Sequence, residues 1–413
     1  MWARTGDGGS WSAIRPVSGT GWRPRPACRC ARRWQTFWRA DVTDQAQLLK
    51  GLVETLVANG SVRSEAWRKV AETVPRHEFL RGGFFRRVEG AVPTAWEPVL
   101  EEDDGWLEGC YEDQSLVTQI AGTIVPSDVR GRIAREPTSS STLPSLVLRM
   151  LEDLQIEPGV RVLEIGTGTG YSTALLCRRL GERNVTSIEY DADVAARARS
   201  ALRRLGAHPL LVTGDGLRGH PDGAPYDRVV ATCGVRTVPA AWVEQTRPGG
   251  LILTTIGGWL GASELARLTV HDDGTASGPL LGGQVGFMLA RPHLPPPLGL
   301  LPDLTAGQER EARAGAGVLD DWTTRFVVQS AAPGAQRVSI DRDGCQEDVL
   351  IDVESGSWAA LRDERGRHIV RQGGSGVLWD AVEHELARWR SAGAPALRDF
   401  TVRVTPEGHS YHW

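Results

Sequence analysis

The residues Val162-Leu163-Glu164-Ile165-Gly166-Thr167-Gly168-Thr169-Gly170 read as a buried strand running into a glycine-rich turn that opens a helix. Gly166 permits the tight turn. Gly168 and Gly170 let the backbone approach a ligand where a Cβ would obstruct it, and Thr167 sits between Gly166 and Gly168. Such a turn alone is shared by many nucleotide-binding enzymes. Glu189 adds to it by closing the next strand about 20 residues on, where an acid can grip the hydroxyls of a ribose. Asp215 and Gly216 follow in Val212-Thr213-Gly214-Asp215-Gly216, at the end of a third strand, where a carboxylate can accept from the exocyclic amine of adenine. A backbone cradle, a ribose acid and an adenine acid therefore fall on the carboxyl edge of one sheet, where open α/β folds bind ligands.

The acid Glu164, two positions ahead of the first glycine, separates this turn from that of a dinucleotide dehydrogenase. A pyrophosphate seated on the helix N-terminus would be repelled by it, whereas a cationic cofactor carrying an ammonium group would be favoured. S-adenosyl-L-methionine is such a cofactor.

The elements that must position these residues follow from periodicity. Helices are expected at Leu146 to Leu154, Tyr171 to Leu180, Asp193 to Leu205 and Ala240 to Thr246. Strands are expected at Arg161 to Ile165, Val185 to Glu189, Leu210 to Thr213, Arg228 to Ala231 and Leu251 to Thr255. This alternation means βαβ units on a parallel sheet, with Leu265 to Val270 and Gln284 to Ala290 as further edge strands. Upstream, Leu48, Leu49, Leu52, Val53, Leu56 and Val57 keep helical spacing and a second helix runs through Trp67, Val70 and Val74, a helical preface to the sheet. From Gly82 to Thr138 loops and short strands are expected.

The 413 residues, 41% of them hydrophobic, suit more than one folded unit. The formal net charge is -4 and the only lysines are Lys50 and Lys69, so there is no basic footprint for nucleic acid. No apolar run approaches a membrane span or a signal-peptide core, and the six cysteines lack both a disulfide framework and metal spacing. A cytoplasmic protein with no bound metal is expected. Residues 1–41 mix eight arginines with Trp2, Trp11, Trp22, Trp34 and Trp38 without a period, and read as disordered, or as a stretch ahead of a true start at Val42, with Thr43 as the cap of the first helix. Residues 42–292 form the main domain. The prolines between His293 and Asp303 mark 293–319 as a linker, and 320–413 reads as a small α+β domain: short strands at Thr324 to Gln329, Val338 to Ile340, Val349 to Val353, His368 to Arg371 and Phe400 to Val404, with one helix from Val377 to Ser391. Trp358, Trp379 and Trp389 read as its core, His409 and His412 as surface, Glu101 to Asp104 as a solvated face, and Cys233 as a small buried filler, with lining of the pocket as its alternative.

At the level of whole motifs, Val162 to Tyr171, Gly214-Asp215-Gly216 with Ala224-Pro225-Tyr226-Asp227-Arg228, Val238-Pro239, and Gln245 with Arg247-Pro248-Gly249-Gly250 resemble the protein-L-isoaspartate O-methyltransferase family in order and spacing. Leu52-Val53-Glu54, Val74-Pro75-Arg76 with Phe79, and Tyr111-Glu112-Asp113 extend the likeness upstream, so that it spans about Leu52 to Pro292. The resemblance implies a Rossmann-like S-adenosylmethionine-dependent methyltransferase of α/β class, with a helical N-terminal preface and a small C-terminal α+β domain. It also implies a carboxylate acceptor: an L-isoaspartyl or aspartyl residue of a peptide or protein, whose methyl ester closes to a succinimide. The family's Ser-x-Pro step, which places a hydroxyl near the transferring methyl, stands here as Thr142-Leu143-Pro144, which makes Thr142, with Ser141 beside it, the candidate catalytic residue. Threonine keeps the hydroxyl and restricts its rotamer. The stretch from Asp113 to Thr142 is longer than the family pattern, so the substrate-facing surface is altered. The extension also resembles variants that modify one ribosomally made precursor peptide. Repair, peptide tailoring and a non-catalytic binding module are the three readings that remain.

Overall fold

The computed structural model describes residues 29–413 except Asp343, with side chains from Asp44 onward. The expectations for residues 1–28 lie outside the described residues. Helix α1 (Arg29–Ala58) starts well ahead of the cap expected at Thr43, because the chain from Arg29 to Ala58 contains no proline and only Gly51 to weaken a helix. From Gln47 the chain folds as one compact unit, in which Leu52, Val53 and Leu56 are buried. Helix α2 (Glu65–Ala71) is capped by the Ser64 side chain, which accepts from the Trp67 amide.

The region from Gly82 to Thr138 builds β1 (Phe84–Arg87), β2 (Trp96–Val99), α3 (Trp106–Cys110), β3 (Leu116–Ile120) and β4 (Pro137–Ser141). The four strands form an antiparallel sheet in the order β2-β1-β3-β4. Helix α4 (Pro144–Asp153) starts with Pro144 in its first turn, where the missing N–H is no loss. The chain then alternates through β5 (Val162–Ile165), α5 (Tyr171–Leu180), β6 (Val185–Glu189), α6 (Ala192–Arg204), β7 (Leu210–Thr213), β8 (Tyr226–Val235), α7 (Ala240–Glu244) and β9 (Thr246–Gly257). Strands β5 to β9 pair in parallel, and β10 (Ser263–Val270) turns back antiparallel on β9. Strand β5 is buried on both faces. Val162 joins the cluster that holds Ala174, Leu175 and Leu176 of α5, while Leu163 and Ile165 join the opposite cluster with Val229 and Trp242, as the two-residue period of a strand requires.

The part beyond β11 (Ala276–Pro279) departs from the expected linker and separate domain. The stretch 293–319 contains β12 (Gln308–Glu311), and its Leu298 and Leu304 pack on Val349, Ile351 and Trp358. The expected strand at Thr324 to Gln329 is instead α8 (Trp322–Ala331), whose Asp321 cap accepts from the Thr324 amide. There follow β13 (Ala335–Arg342), β14 (Cys345–Asp352), β15 (Ser357–Glu364), β16 (Arg367–Gly373), α9 (Leu378–Ser391), β17 (Thr401–Thr405) and β18 (Gly408–His412). Strands β12 to β16 form their own sheet, in the order β12-β16-β15-β14-β13. The last hairpin does not belong to it: β17 pairs antiparallel with β11 from Ala276↔Val404 to Pro279↔Thr401, completing a nine-stranded sheet in the order β18-β17-β11-β10-β9-β8-β5-β6-β7. An edge strand left with unpaired backbone groups is a liability, and this hairpin covers one. Phe326, Trp379, Trp389 and Val402 share one hydrophobic cluster with Val229, Trp242 and Ile252. The segment 320–413 is thus an extension folded into the main core, with Trp358, Trp379 and Trp389 buried as expected. His409 bonds through Nε2 to the Tyr411 hydroxyl at 2.9 Å and is half-buried, while His412 is exposed.

Candidate functional site

A cavity of about 360 Å³ opens over the carboxyl ends of β5, β6 and β8, within the size range of small-molecule sites. Its floor is Ile165 to Thr169, its sides are Glu189-Tyr190 and Asp215 to Leu217, and β4 with Thr142 and Leu143 faces them. The remaining wall is Gly286 to Pro292. That wall replaces the strand expected at Gln284 to Ala290. Gly283 and Gln284 both take left-handed backbone conformations (φ 113° and 55°), which ends a strand before it begins, and a bridge between Gly234 and Leu289 joins the wall to the sheet.

The glycine turn is built as a cradle. Gly166 has φ 91° and a Cβ there would lie 2.8 Å from Thr232 Oγ1, while Thr232 Oγ1 itself donates to the Gly166 carbonyl. Gly168 also has positive φ, and its amide donates to Glu189 Oε2 at 2.8 Å. Glu189 Oε1 accepts from the Asp191 amide at 3.0 Å. Burial pushes the Glu189 pKa up and these two amides oppose the shift. Asp215 Oδ1 accepts from the Leu217 amide at 3.0 Å, which fixes the carboxylate at the end of β7. Beside it, a Cβ on Gly216 would meet Ile165 Cγ2 at 2.5 Å. Replacing Gly216 by alanine therefore forces apart the floor of the cavity and is expected to cost about 1–3 kcal/mol of stability, read from the denaturant midpoint at unchanged m-value; a wild-type midpoint would contradict this packing.

Two of the residues expected to touch a ligand do something else. Glu164 is completely buried and does not line the cavity. Its alternation along β5 turns it, with Val162, toward α5. There Oε1 accepts from Ser172 Oγ and Oε2 from Thr173 Oγ1, both at 2.5 Å, and Oε2 also accepts from Ser187 Oγ at 2.7 Å. Ser187 is bonded in turn to Thr167 Oγ1 at 2.6 Å, so Glu164 staples the first turn of α5 to β6 beneath the glycines, and Thr167 offers the cavity its backbone. Burial raises the Glu164 pKa, against the three hydroxyl donors. Gly170, with φ 93°, is the residue before α5, and a Cβ on it would press on Ala198 and Leu202 of α6. It serves helix packing. The remaining members, Gly166, Thr167, Gly168, Glu189, Asp215, Gly216, Ser141 and Thr142, all line the one cavity.

The position of Ser141 and Thr142 depends on a residue that the family pattern includes but the sequence does not mark as functional. Arg76 is fully buried and donates to five backbone carbonyls: Cys110, Glu112 and Gln114 on one side, Ser141 and Thr142 on the other. Its Nε also reaches Ser141 Oγ at 3.4 Å. Burial lowers its pKa to about 10, so it stays charged at neutral pH. Further lining residues absent from the expected set are Trp96, Tyr190, Thr232, Cys233 and Arg291. Cys233 is half-buried and faces the cavity, where a buried filler was expected. Arg291 is the single cationic residue lining the cavity among the described residues. Its Nη2 donates to Asp191 Oδ2 at 2.9 Å and Gln119 Oε1 at 3.1 Å, tying the wall to the start of α6 and to β3. Strands from widely separated parts of the chain bring these groups together, and no local spacing announces them.

Residues 123–280 match the family described as "Protein-L-isoaspartate(D-aspartate) O-methyltransferase (PCMT)". A relative from Methanothermobacter thermautotrophicus named protein-L-isoaspartate O-methyltransferase is 31% identical over 56% of this chain and 94% of its own length. One of the same name from Pyrococcus horikoshii is 35% identical over 55% of this chain and 85% of its own. A solved structure, again a protein-L-isoaspartate O-methyltransferase, superposes with a TM-score of 0.52 at 22% identity, covering 88% of this chain and 99% of that one. That coverage is more than residues 42–292 could supply, so the likeness in fold includes part of the C-terminal extension. With two relatives above 30% identity matched over most of their length, the chain belongs to the protein-L-isoaspartate O-methyltransferase family.

Proposed function

We propose that this protein is an S-adenosylmethionine-dependent carboxyl O-methyltransferase acting on L-isoaspartyl residues of peptides and proteins, the first step of their repair. The observation that carries the reading is the single cavity that gathers a glycine cradle, Glu189 and Asp215 at three neighbouring strand ends and sets Ser141 and Thr142 opposite them. The donor set fits the cofactor. Each Glu189 oxygen accepts one backbone amide and keeps a lone pair for a ribose hydroxyl. Asp215 can accept an adenine amine, and the bare Gly168 backbone leaves room for the amino-acid end.

Bound there, S-adenosylmethionine supplies an already activated methyl group. The chain's own task is alignment. A carboxylate is a nucleophile at neutral pH and needs no general base, and among the described residues no histidine lines the cavity. Thr142 donates from its hydroxyl to orient the acceptor carboxylate. Arg76, through the carbonyls of Ser141 and Thr142, fixes the backbone that carries it. Leu143, Leu146 and Phe287 exclude water that would stabilise the carboxylate. The ester formed on the peptide is attacked by the following backbone nitrogen, expelling methanol as a succinimide closes, and hydrolysis of that ring returns part of the product as ordinary aspartate.

Replacing Thr142 by valine keeps the shape and removes the hydroxyl. It is expected to lower kcat toward an isoaspartyl peptide about 10- to 100-fold through misalignment while leaving the dissociation constant of S-adenosylmethionine unchanged. Equal losses in both would contradict this role. A dedicated precursor peptide is not favoured, since the extension that suggested one folds into the main core. The partner is then any accessible isoaspartyl site, with no nucleic acid or membrane involved. A cytoplasmic setting agrees with four unpaired cysteines and the absence of a helix long and apolar enough to cross a membrane, both among the described residues.

A further inference from the structure

The wall Gly286 to Pro292 has few anchors. At its middle Gly234 of β8 donates to the Met288 carbonyl and accepts from the Ala290 amide, both at 2.8 Å, and next to its last residue Arg291 clasps Asp191 and Gln119. The chain leaving the wall is held at His293 by a three-way joint. The Arg236 amide, just past β8, donates to His293 Nδ1 at 3.1 Å, and Trp259 Nε1, just past β9, donates to the His293 carbonyl at 2.9 Å. The Arg236 guanidinium lies 3.5 Å above the Trp259 ring and donates through Nη2 to the carbonyl of Pro333 at 2.7 Å. Pro333 belongs to the C-terminal extension, between α8 and β13. A second tie, Gln336 Nε2 to the Pro296 carbonyl at 2.9 Å, runs the same way.

We propose that Arg236 is a positioning residue through which the C-terminal extension braces the Gly286–Pro292 wall and so sets the enzyme's grip on the acceptor peptide. The Arg236 side chain joins the extension to Trp259, and the Arg236 backbone amide and the Trp259 ring N–H in turn hold His293 at the end of the wall. A guanidinium stacked on an indole is attracted by the negative face of the ring, the more so the further it is desolvated. The wall carries Arg291, the one cation facing the cavity among the described residues, so loosening His293 loosens the group best suited to a carboxylate-bearing peptide. The extension thereby tunes the existing site, without needing a peptide-docking surface of its own. The peptide part of this inference rests on the activity proposed above.

Two measurements test it on the full-length protein. In Arg236→Ala, amide hydrogen exchange across residues 286–293 is expected to quicken about fivefold or more as local opening becomes easier. KM for an isoaspartyl peptide should rise about tenfold, equivalent to about 1.4 kcal/mol, with kcat within about twofold of wild type. Arg236→Lys keeps the charge and loses the planar stack, and falls between. Trp259→Phe keeps the ring beneath the guanidinium and loses only the donor to His293, so it moves both readouts the same way by a smaller factor and decides the matter where Arg236→Ala does not fold. Unchanged exchange overturns the brace. Faster exchange with an unchanged KM also overturns it, as does a fall in kcat alone. Should the wild type transfer no methyl group to the peptide, the proposed activity fails, and the exchange result still upholds or overturns the brace.

Discussion

Arg76→Ala is expected to leave a protein that folds poorly and transfers no methyl groups. The side chain is fully buried and satisfies five carbonyl oxygens drawn from two segments, 110–114 and 141–142. Removing it strands those oxygens without donors, and each unsatisfied buried group costs about 1–3 kcal/mol. The sum is as large as the whole stability of a typical domain, about 5–15 kcal/mol. Denaturant titration should show an unfolding free energy lowered by several kcal/mol or no transition at all. Arg76→Lys provides three donors from one point in place of a planar fork of five, so it is expected to fold in part and to place Thr142 inaccurately, with kcat down about 10-fold or more. A stable, active Arg76→Ala protein would show that the Ser141–Thr142 segment holds its place without this guanidinium.

Glu189→Ala is expected to weaken S-adenosylmethionine binding by at least 100-fold, or about 2.7 kcal/mol. The carboxylate is assigned two charge-assisted bonds to the ribose, each worth about 1.5–3 kcal/mol, and it also holds the amides of Gly168 and Asp191, so the cradle loosens with it. Glu189→Gln is the sharper probe. Both native oxygens accept from backbone donors, and a carboxamide can present an acceptor to only one of them, so one turn amide faces an NH₂ group. An intermediate loss, about 10-fold, is expected. Calorimetric titration reads all three proteins, and wild-type affinity in Glu189→Ala would remove Glu189 from the site.

The centre of the fold was legible because its signals are local. The bounds expected for α5, β6 and β7 coincide with those observed, since apolar runs there are punctuated by Gly166, Gly170, Gly181 and the Asp191 cap. The strand expected at Thr324 to Gln329 is a helix instead: Phe326, Val327 and Val328 favour a strand by type, while the Asp321 cap and burial against the distant Phe400 and Tyr411 impose a helix. Glu164 was placed in the cavity by its nearness to the glycines, although the two-residue period of β5 turns it to the other face. Arg76 could not be singled out from spacing, because its partners lie 34 to 66 residues away. The union of the extension with the main sheet is hidden for the same reason, since Val404 meets Ala276 only after the whole β12–β16 sheet has intervened.

The proposed activity is read out by offering the purified protein two peptides that differ only in one linkage, L-isoaspartyl against L-aspartyl, with S-adenosylmethionine present, and following product masses over time. A base-labile methyl ester is expected on the isoaspartyl peptide, then a succinimide and a growing share of ordinary aspartyl product, with the aspartyl peptide unmodified. Methylation of the aspartyl peptide alone, or of neither peptide, would contradict it.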